Sequence, residues 1–403
     1  MHAKYVCMQI SDRIQKVAES GSLKMAARAR AMKDEGIDII SMTLGEPDFA
    51  APEAVKKAAI EAIQGDWSHY GPVPGYPSLR KAIAATLPAE AAFIADDIVV
   101  SSGAKQSLYN AIVCALNAGD EALIPTPCWV SYGEMVKLAD ATPVFVETTA
   151  EHDWKLTAEQ LSKAITPRTR MLILCSPNNP TGSVYSRAEL EALVAVLQEH
   201  EQITIVSDEI YQKILYSAEP FCSMASFAAL RERVIIINGV SKAYAMTGYR
   251  IGWMASKNAA IVAACKRLQG QSTTCACTIA QKAAEAAYTG DQQCVEEMRL
   301  EYARRRELVL SLLESIPDIT CSRPDGAFYA FPDVSAYYND TVKGSADMAE
   351  YLLNEAHVAC VAGADFGEDR CIRLSYATDE QQIRLGIERI HQALLKLKSH
   401  NIR

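Results

Sequence analysis

The sequence predicts an α/β fold: a mostly parallel central sheet with helices on both faces, joined to a smaller α+β domain. Short apolar runs across residues 97–255 alternate with helical patterns. Several of these runs are apolar throughout, as strands are when both faces of their sheet are covered. The later runs begin about 30 residues apart, a spacing typical of strand–helix–strand units with parallel strands.

Seven candidate strands form the predicted sheet. They are DIVVSS (97–102), EALIP (121–125), TPVFVET (142–148), MLILCSP (171–177), ITIVSDE (203–209), RVIIING (233–239) and YRIGWMA (249–255). Between two of them, residues 186–200 predict a helix that begins at Ser186, because Glu189 three positions later completes a capping pattern.

The chain from about residue 290 onward predicts the second domain. A long helix over 295–316 is followed by GAFYAFPDV, by a helix near DMAEYLLNEA and by a short strand, CIRLSYA, at 371–377. The first 45 residues precede the main sheet and are expected to pack with this C-terminal part. We therefore predict a large domain over 46–290 and a small domain formed by 1–45 and 291–403.

The composition is that of a globular protein with room for two cores: 403 residues, 49% hydrophobic and 22% charged. A net charge of −9 without a basic block argues against nucleic-acid and membrane partners. The sequence has neither a signal-peptide pattern nor an apolar run approaching about 18 residues, so we expect a cytoplasmic protein.

Twelve cysteines are scattered along the chain. Several stand in apolar stretches and predict small buried side chains rather than disulfides. These are Cys114, Cys128, Cys175 and Cys360. The CAC stretch at 275–277 lacks a second pair of ligands at zinc-site spacing, so no metal site is predicted.

Four of the predicted strands run into polar clusters. SSGAKQ, SPNNPTG, SDEIY and NGVSK follow the strands that begin at residues 97, 171, 203 and 233. Open parallel sheets bind ligands beyond the carboxyl ends of their strands. One polar loop would mean little, but four at the same edge predict a site.

Three of these clusters carry groups that could bind a ligand. Gly103 stands at a strand-to-helix turn, so the N–H groups of Ala104 and Lys105 can cradle a phosphate, although an ordinary turn is the alternative. Asp208 ends a buried strand and needs a cationic or N–H partner, unless it caps a helix. Asn179 precedes a Pro-Thr-Gly turn and is either a ligand-binding amide or part of a plain turn.

Two basic residues follow the strongly apolar predicted strand RVIIING (233–239). If YRIGWMA is extended, Arg250, Gly252 and Met254 share a face. The glycine then lets an anion approach the guanidinium, helped by the Ser241 hydroxyl, although a salt-bridged core arginine is the alternative. Lys242 stands where a desolvated amine loses proton affinity and can form a Schiff base. An amine, a phosphate cradle and a buried carboxylate together indicate pyridoxal phosphate.

Six motifs, taken in order, carry a family resemblance. They are LGEPDF, PCWVSY, SPNNPTG, SDEIY, SKAYAMTGYRIGW and IRLSYAT. From about Arg13 to its C-terminus, the chain resembles the pyridoxal-phosphate-dependent class I aminotransferases of fold type I. It is most similar to the bacterial branch of aspartate aminotransferases.

The resemblance implies roles for the residues around the cofactor ring. Lys242 would hold the cofactor as an imine and then carry the proton between substrate and cofactor. Asp208 would pair with the pyridinium nitrogen, which stabilises charge that develops during the reaction. Tyr211 and Asn179 would bond the phenolic oxygen of the ring. Trp129 would stack on the ring face, and both Trp129 and Asn179 would also contact the substrate.

The resemblance also implies how the phosphate is held. Gly103, Ala104, Ser241 and Arg250 would bind it, with the N–H of Lys105 in the same turn. Tyr70 would reach the phosphate of the neighbouring subunit, so the active unit would be a homodimer with shared active sites.

Substrate recognition is implied at four further positions. Arg373 would bind the substrate α-carboxylate, and Gly45 would bring backbone close to it. The residues alone favour a solvated edge-strand arginine at 373. Lys105 matches the family's cation for a distal carboxylate, and Arg13 matches the feature linked with prephenate. Each of these last two could equally be a solvated surface charge.

The reaction that the resemblance implies is a ping-pong transfer of an amino group between aspartate, or a similar amino acid, and 2-oxoglutarate. Aspartate/prephenate use, or an alanine, aromatic or kynurenine specificity, is the nearest alternative. β-Elimination, decarboxylation and cyclisation on the same fold are further ones. A non-catalytic regulator that binds pyridoxal phosphate would need an additional DNA-binding segment, for which this chain leaves no room. A hydrolase that used Ser241 and Lys242 would leave Asp208 and Arg250 without a role.

Overall fold

The computed structural model describes residues 9–19 and 21–400, without the side chain of residue 400. Its helices are α1 (Asp12–Gln15), α2 (Gly21–Asp34), α3 (Glu53–Gln64), α4 (Pro77–Ala84), α5 (Ala104–Ala115), α6 (Ser131–Leu138), α7 (Ala158–Ala164), α8 (Arg187–Gln198), α9 (Ala259–Ser272), α10 (Thr278–Thr289), α11 (Gln293–Glu314), α12 (Ser345–Glu355) and α13 (Glu380–His400). Its strands are β1 (Ile40–Ser41), β2 (Ile98–Ser101), β3 (Glu121–Thr126), β4 (Thr142–Glu147), β5 (Thr169–Cys175), β6 (Thr204–Asp208), β7 (Val234–Gly239), β8 (Gly252–Ala255), β9 (Tyr329–Ala330), β10 (Val358–Ala359), β11 (Val361–Ala362) and β12 (Ile372–Ser375). Within these ranges, no helix has both the length and the apolar character needed to span a membrane.

The central sheet has seven strands in the order β2-β8-β7-β6-β5-β3-β4. Strand β8 runs antiparallel to both of its neighbours, β2 and β7, and the other pairings are parallel. Each of the seven predicted apolar runs contributes one strand. The predicted mostly parallel sheet is therefore confirmed.

Helices cover both faces of this sheet, because successive strand residues point into different cores. Ile236 packs into one core with buried side chains of α3, α4, α8 and α10. Ile235 and Ile237 pack into the other, with α5, α6 and α9. Helix α8 begins as predicted: Ser186 accepts a bond from the Glu189 N–H, and the Glu189 carboxylate reaches back to the Ser186 N–H.

A third core lies against the C-terminal half of the chain. A small antiparallel sheet in the order β11-β12-β9 packs with α11, α12 and α13 around this core. Strand β1 pairs in parallel with β10, so Ile40 and Met42 join the same core. The predicted α+β character of the C-terminal part is observed.

Part of the N-terminal segment packs differently from the prediction. Helix α1 and the residues after it lie against α6 of the central-sheet region, where the Ala18 N–H donates to Glu134 Oε2 at 2.8 Å. Residues 1–8 and 20 lie outside the described ranges. The boundaries at 45/46 and 290/291 stay a prediction.

The segment YRIGWMA is shorter as a strand than predicted. Strand β8 begins only at Gly252, and Arg250 lies before it with a left-handed backbone (φ 56°). The predicted open space beside Gly252 is wrong, because a Cβ built there would lie 2.0 Å from the backbone nitrogen of Ala104. Gly252 therefore lets β8 touch the first turn of α5.

We expect Gly252→Ala to lower the free energy of unfolding by about 2 kcal/mol or more, because backbone must move to admit the methyl group. Gly248→Ala is the matched control, since a Cβ built at that position has no heavy atom within 4 Å apart from its own residue and chain neighbours in the described part of the chain. Urea denaturation of both variants checks the difference. Equal losses would contradict the close approach of β8 and α5.

Candidate active site

A cavity of about 430 Å³ opens at the carboxyl edge of the central sheet, where that sheet meets the third core. Its wall combines the first turn of α5, the end of β6, the β7–β8 connection and β12. Eleven predicted site residues line it: Gly45, Ala104, Lys105, Trp129, Asn179, Asp208, Tyr211, Ser241, Lys242, Arg250 and Arg373. The structure therefore brings together residues from distant parts of the sequence.

Lys242 follows β7 and projects its amine into this cavity. Its Nζ donates a hydrogen bond to the carbonyl oxygen of Gly45 and lies 5.8 Å from the ring centroid of Tyr211. Burial, offset only in part by the nearby Glu46 carboxylate, lowers the pKa of Lys242 to about 8. A useful fraction of the amine is therefore neutral near pH 7 to 8, as a nucleophile or base requires.

Asp208 ends β6 and is 5% exposed. Burial raises the pKa of its carboxyl to about 6, although two donors and the nearby Lys242 ammonium favour the charged form. The donors are the Tyr132 hydroxyl at 2.9 Å and the backbone N–H of Ile210 at 3.2 Å. A carboxylate in so dry a site favours a cationic partner, and a pyridinium N–H is one.

Tyr132 is a site residue that the sequence analysis did not assign. It lies on α6, is 2% exposed and packs edge-to-face against Trp129 at a centroid distance of 5.5 Å. The motif CWVSY contains it three positions after Trp129, which is one helical turn. That spacing is the signal that could have placed both rings on the same side of the cavity.

The phosphate cradle is formed by Gly103 and Arg250. Gly103 has φ 89° and precedes α5. Its own N–H donates to the Ser101 carbonyl at 2.8 Å, so the N–H groups available to a phosphate are those of the first turn of α5, at Ala104 and Lys105, which line the cavity. A Cβ on Gly103 would lie 2.4 Å from Nη2 of Arg250. The guanidinium thus covers the helix N-terminus, and its Nη1 is fixed by a bond to the Thr247 carbonyl at 2.9 Å.

Arg373 is buried rather than solvated. It lies on β12, the middle strand of its sheet, and is 3% exposed, so the edge-strand alternative is wrong. Its Nη1 donates to Asn179 Oδ1 at 2.9 Å and its Nη2 to the Thr43 carbonyl at 2.7 Å. Its Nε is buried without a partner, where an unpaired donor is costly. Two of the five guanidinium N–H donors are bonded, so one hydrogen on each of Nη1 and Nη2 is left for a ligand carboxylate.

Two aromatic residues close the cavity beside Arg373. The hydroxyl groups of Tyr211 and Tyr329 are 2.9 Å apart, and the Arg373 guanidinium lies 4.5 Å from the Tyr329 ring centroid. Tyr329 was not assigned from the sequence, although GAFYAFPDV contains it. A Cβ on Gly45 would lie 3.2 Å from the Tyr329 hydroxyl, so Gly45 does allow backbone to approach this corner.

Lys105 also lines the cavity. Its Nζ lies 4.6 Å from the ring centroid of Trp129, and burial, assisted by the Arg250 charge, lowers its pKa. A cation above an aromatic ring and partly out of water is available to a ligand carboxylate.

Three predicted residues do not line this cavity. Gly103 lies beside the Arg250 guanidinium instead. Arg13 pairs with Asp140 at 2.6 Å and its side chain is 57% exposed, so this conformation does not place it at the site. Tyr70 is 89% exposed and does not line its own chain's cavity.

The residues present fit pyridoxal phosphate. The cradle of Gly103 and Arg250 suits a phosphate, the desolvated Lys242 suits an aldehyde, and the buried Asp208 suits a ring nitrogen. Arg373, a buried arginine in the same lining, suits a carboxylate. An α/β enzyme that uses this cofactor on substrates carrying both an amine and a carboxylate is the class that this arrangement defines.

Comparison with known proteins gives the family. The sequence profile described as Aminotransferase class I and II matches residues 37–390. An aspartate/prephenate aminotransferase from Nitrosomonas europaea is 42% identical over 397 residues, which span 96% of this chain and 100% of that protein. An aspartate aminotransferase from Bacillus sp. (strain YM-2) is 43% identical over 385 residues, spanning 94% of this chain and 98% of that one.

A solved structure agrees with these relatives. The aspartate aminotransferase from Rhizobium meliloti superposes with a TM-score of 0.92 at 40% identity, covering 96% of this chain and 99% of that one. This chain belongs to the class I and II aminotransferase family, and it is an aminotransferase that depends on pyridoxal phosphate.

We expect Tyr132→Phe to weaken cofactor binding about tenfold near pH 7. The ring is kept, but Asp208 loses a hydrogen bond that favours its charged form, so its pKa rises further above 6 and less of it is ionised. The acid limb of the pH profile for cofactor affinity should move to higher pH. An unchanged pH profile would show that Tyr132 does not control the charge of Asp208.

Proposed function

We propose that the protein transfers an amino group between aspartate and 2-oxoglutarate. One observation carries this proposal: the desolvated Lys242 amine and Asp208 carboxylate share a cavity with a buried Arg373 that has a donor to spare. A cation for each of two carboxylates, Arg373 and Lys105, matches a dicarboxylic substrate. The names of the relatives from Bacillus and Rhizobium meliloti support the same substrate.

Each residue has a definite task in this proposal. Arg373 binds the substrate α-carboxylate through its forked donors, which orients the Cα–H bond. Lys242, whose pKa of about 8 leaves part of it neutral, takes the proton from Cα and returns it later. Pyridoxal phosphate supplies an aldehyde that links to amines and a ring that withdraws electrons. Asp208 holds the proton on the nitrogen of that ring, with Tyr132 holding Asp208.

Asn179, Tyr211 and Trp129 shape the rest of the site. Asn179 fixes Arg373 through its side-chain oxygen and presents its amide to the ring. Tyr211, whose hydroxyl is paired with that of Tyr329, bonds the phenolic oxygen. Trp129 forms the wall on which the ring stacks.

The proposed active unit is a homodimer. The cofactor phosphate is held within one chain by Gly103, Ala104, Ser241 and Arg250. Tyr70, almost fully exposed on its own chain, reaches the phosphate of the neighbouring subunit. We place the protein in the cytoplasm, which its scattered apolar cysteines favour, with a large domain over 46–290 and a small domain over 1–45 and 291–403.

Prephenate is the second candidate substrate. The relative from Nitrosomonas europaea, whose name includes prephenate, supports it. Arg13 is the residue assigned to it, and this residue would have to leave Asp140 and swing to the cavity. An assay with prephenate in place of 2-oxoglutarate decides between one acceptor and two.

We expect Lys242→Ala to lower the rate of glutamate formation from aspartate and 2-oxoglutarate roughly a thousandfold or more, because the base and the covalent anchor are lost together. Borohydride should no longer attach the cofactor to the protein. Lys163→Ala, at a solvated ion pair with Glu159, is the control and should change neither readout. Near-normal turnover in Lys242→Ala would refute the proposal.

We expect Lys105→Ala to raise the KM for aspartate about tenfold while changing the KM for alanine less than twofold, since alanine has no distal carboxylate. Steady-state kinetics with both donors at saturating 2-oxoglutarate measure this. An equal rise for both donors would remove Lys105 from the distal carboxylate site.

A further inference from the structure

An ion pair between a buried arginine and a partly exposed aspartate anchors the segment 43–49, part of which lines the cavity. Arg305, on α11, is 6% exposed, and its Nη1 contacts both carboxylate oxygens of Asp48 at 2.8 and 2.9 Å. Its Nε donates to Glu301 at 2.9 Å. The guanidinium is therefore held from two sides, and Asp48 is drawn onto the helix.

Aromatic rings surround this pair. Arg305 lies 5.3 Å from the ring centroid of Phe49 and 5.6 Å from that of Tyr302. Those two rings pack edge-to-face at 5.4 Å, and the Tyr302 hydroxyl donates to Asp48 Oδ1 at 3.3 Å. The charges are thus partly shielded from water. In such surroundings, removing one partner of an ion pair costs more stability than it does at an open surface.

The other end of the same segment touches both functional cations. The carbonyl oxygen of Thr43 accepts the Nη2 bond of Arg373, and that of Gly45 accepts the bond from Lys242. Glu46 accepts a bond from Thr247 at 2.8 Å. Backbone oxygens can orient these cations only while the segment itself is fixed. The side chain of Leu44, between Thr43 and Gly45, contributes little to fixing it because Leu44 is 43% exposed.

We propose that Arg305 is a positioning residue: its ion pair with Asp48 fixes segment 43–49, whose backbone oxygens hold Arg373 and Lys242 in place. The inference rests on the proposed use of those two residues in amino transfer. Arg305 itself touches neither substrate nor cofactor.

The test compares Arg305→Met with Arg304→Met in cofactor-saturated protein. Arg304 is the matched control, because it is adjacent on α11 and bonds the same Glu301 but is 54% exposed and has no bond to Asp48. Deuterium uptake of a peptide covering 43–49 and kcat/KM for the best amino donor are measured for each. We expect faster uptake and a fall of kcat/KM of about tenfold in Arg305→Met, with KM raised and kcat lowered, and neither change in Arg304→Met.

Two further variants keep the proposal falsifiable. Arg305→Lys retains the charge but not the fork, so it should recover part of kcat/KM. Asp48→Asn breaks the same pair from the exposed side and serves if Arg305→Met does not fold.

The anchoring of segment 43–49, the positioning role of Arg305 and the proposed function are each contradicted by a different result. Unchanged deuterium uptake in both Arg305→Met and Asp48→Asn overturns the anchoring, and faster uptake with kcat/KM within about twofold of the parent overturns the positioning role. Failure of the parent protein to transfer amino groups would refute the proposed function instead, while the uptake comparison would still decide the anchoring.

Discussion

The active site depends on taking two opposite charges out of water at one edge of a sheet. Lys242 and Asp208 both stand at the ends of parallel strands whose faces are covered by helices, so neither can be solvated freely. Burial lowers the pKa of the amine to about 8 and raises that of the carboxyl to about 6. The lowered value leaves part of the Lys242 amine neutral near pH 7, which a solvated lysine would not be. The raised value still leaves Asp208 mostly ionised there, as a carboxylate that favours a cationic partner.

The rest of the molecule keeps these charges from neutralising each other. The Tyr132 hydroxyl and the Ile210 N–H donate hydrogen bonds to Asp208, and the Gly45 carbonyl accepts one from Lys242. Each charged group is therefore oriented by a neutral partner. This arrangement leaves the space between them for a ligand, since a direct ion pair would have closed it.

The central sheet was predictable because each strand is a short apolar run, and four of these runs are followed by a polar loop. The runs before Asp208 and Lys242 predicted both the parallel strands and the polar edge. Arg250 shows the limit of such reasoning: an alternating pattern indicated a strand, but the residue adopts a left-handed conformation and its guanidinium packs against Gly103. The hydrophobic period of the segment and the strand propensity of its residues carry no information about that contact.

Site residues were predictable to the extent that their motifs were. Arg373 looked like a solvated edge residue by itself, because nothing in CIRLSYA tells that its strand lies between two others. Tyr132 and Tyr329 were missed for the same reason: their roles arise from elements far apart in sequence. Arg13 was assigned to the site by similarity, whereas its neighbour in space is Asp140.

The reversed direction of β8 has a consequence for how this scaffold can diversify. Because β7 and β8 form a hairpin, their connection never leaves the functional edge, and it carries both the amine at 242 and the guanidinium at 250. If pyridoxal phosphate binds as proposed, the two ends of this short stretch would hold its aldehyde and its phosphate. Lengthening or shortening that stretch would disturb both ends at once, so new substrate preferences are expected to arise on other walls, such as those formed by α2 and Lys105.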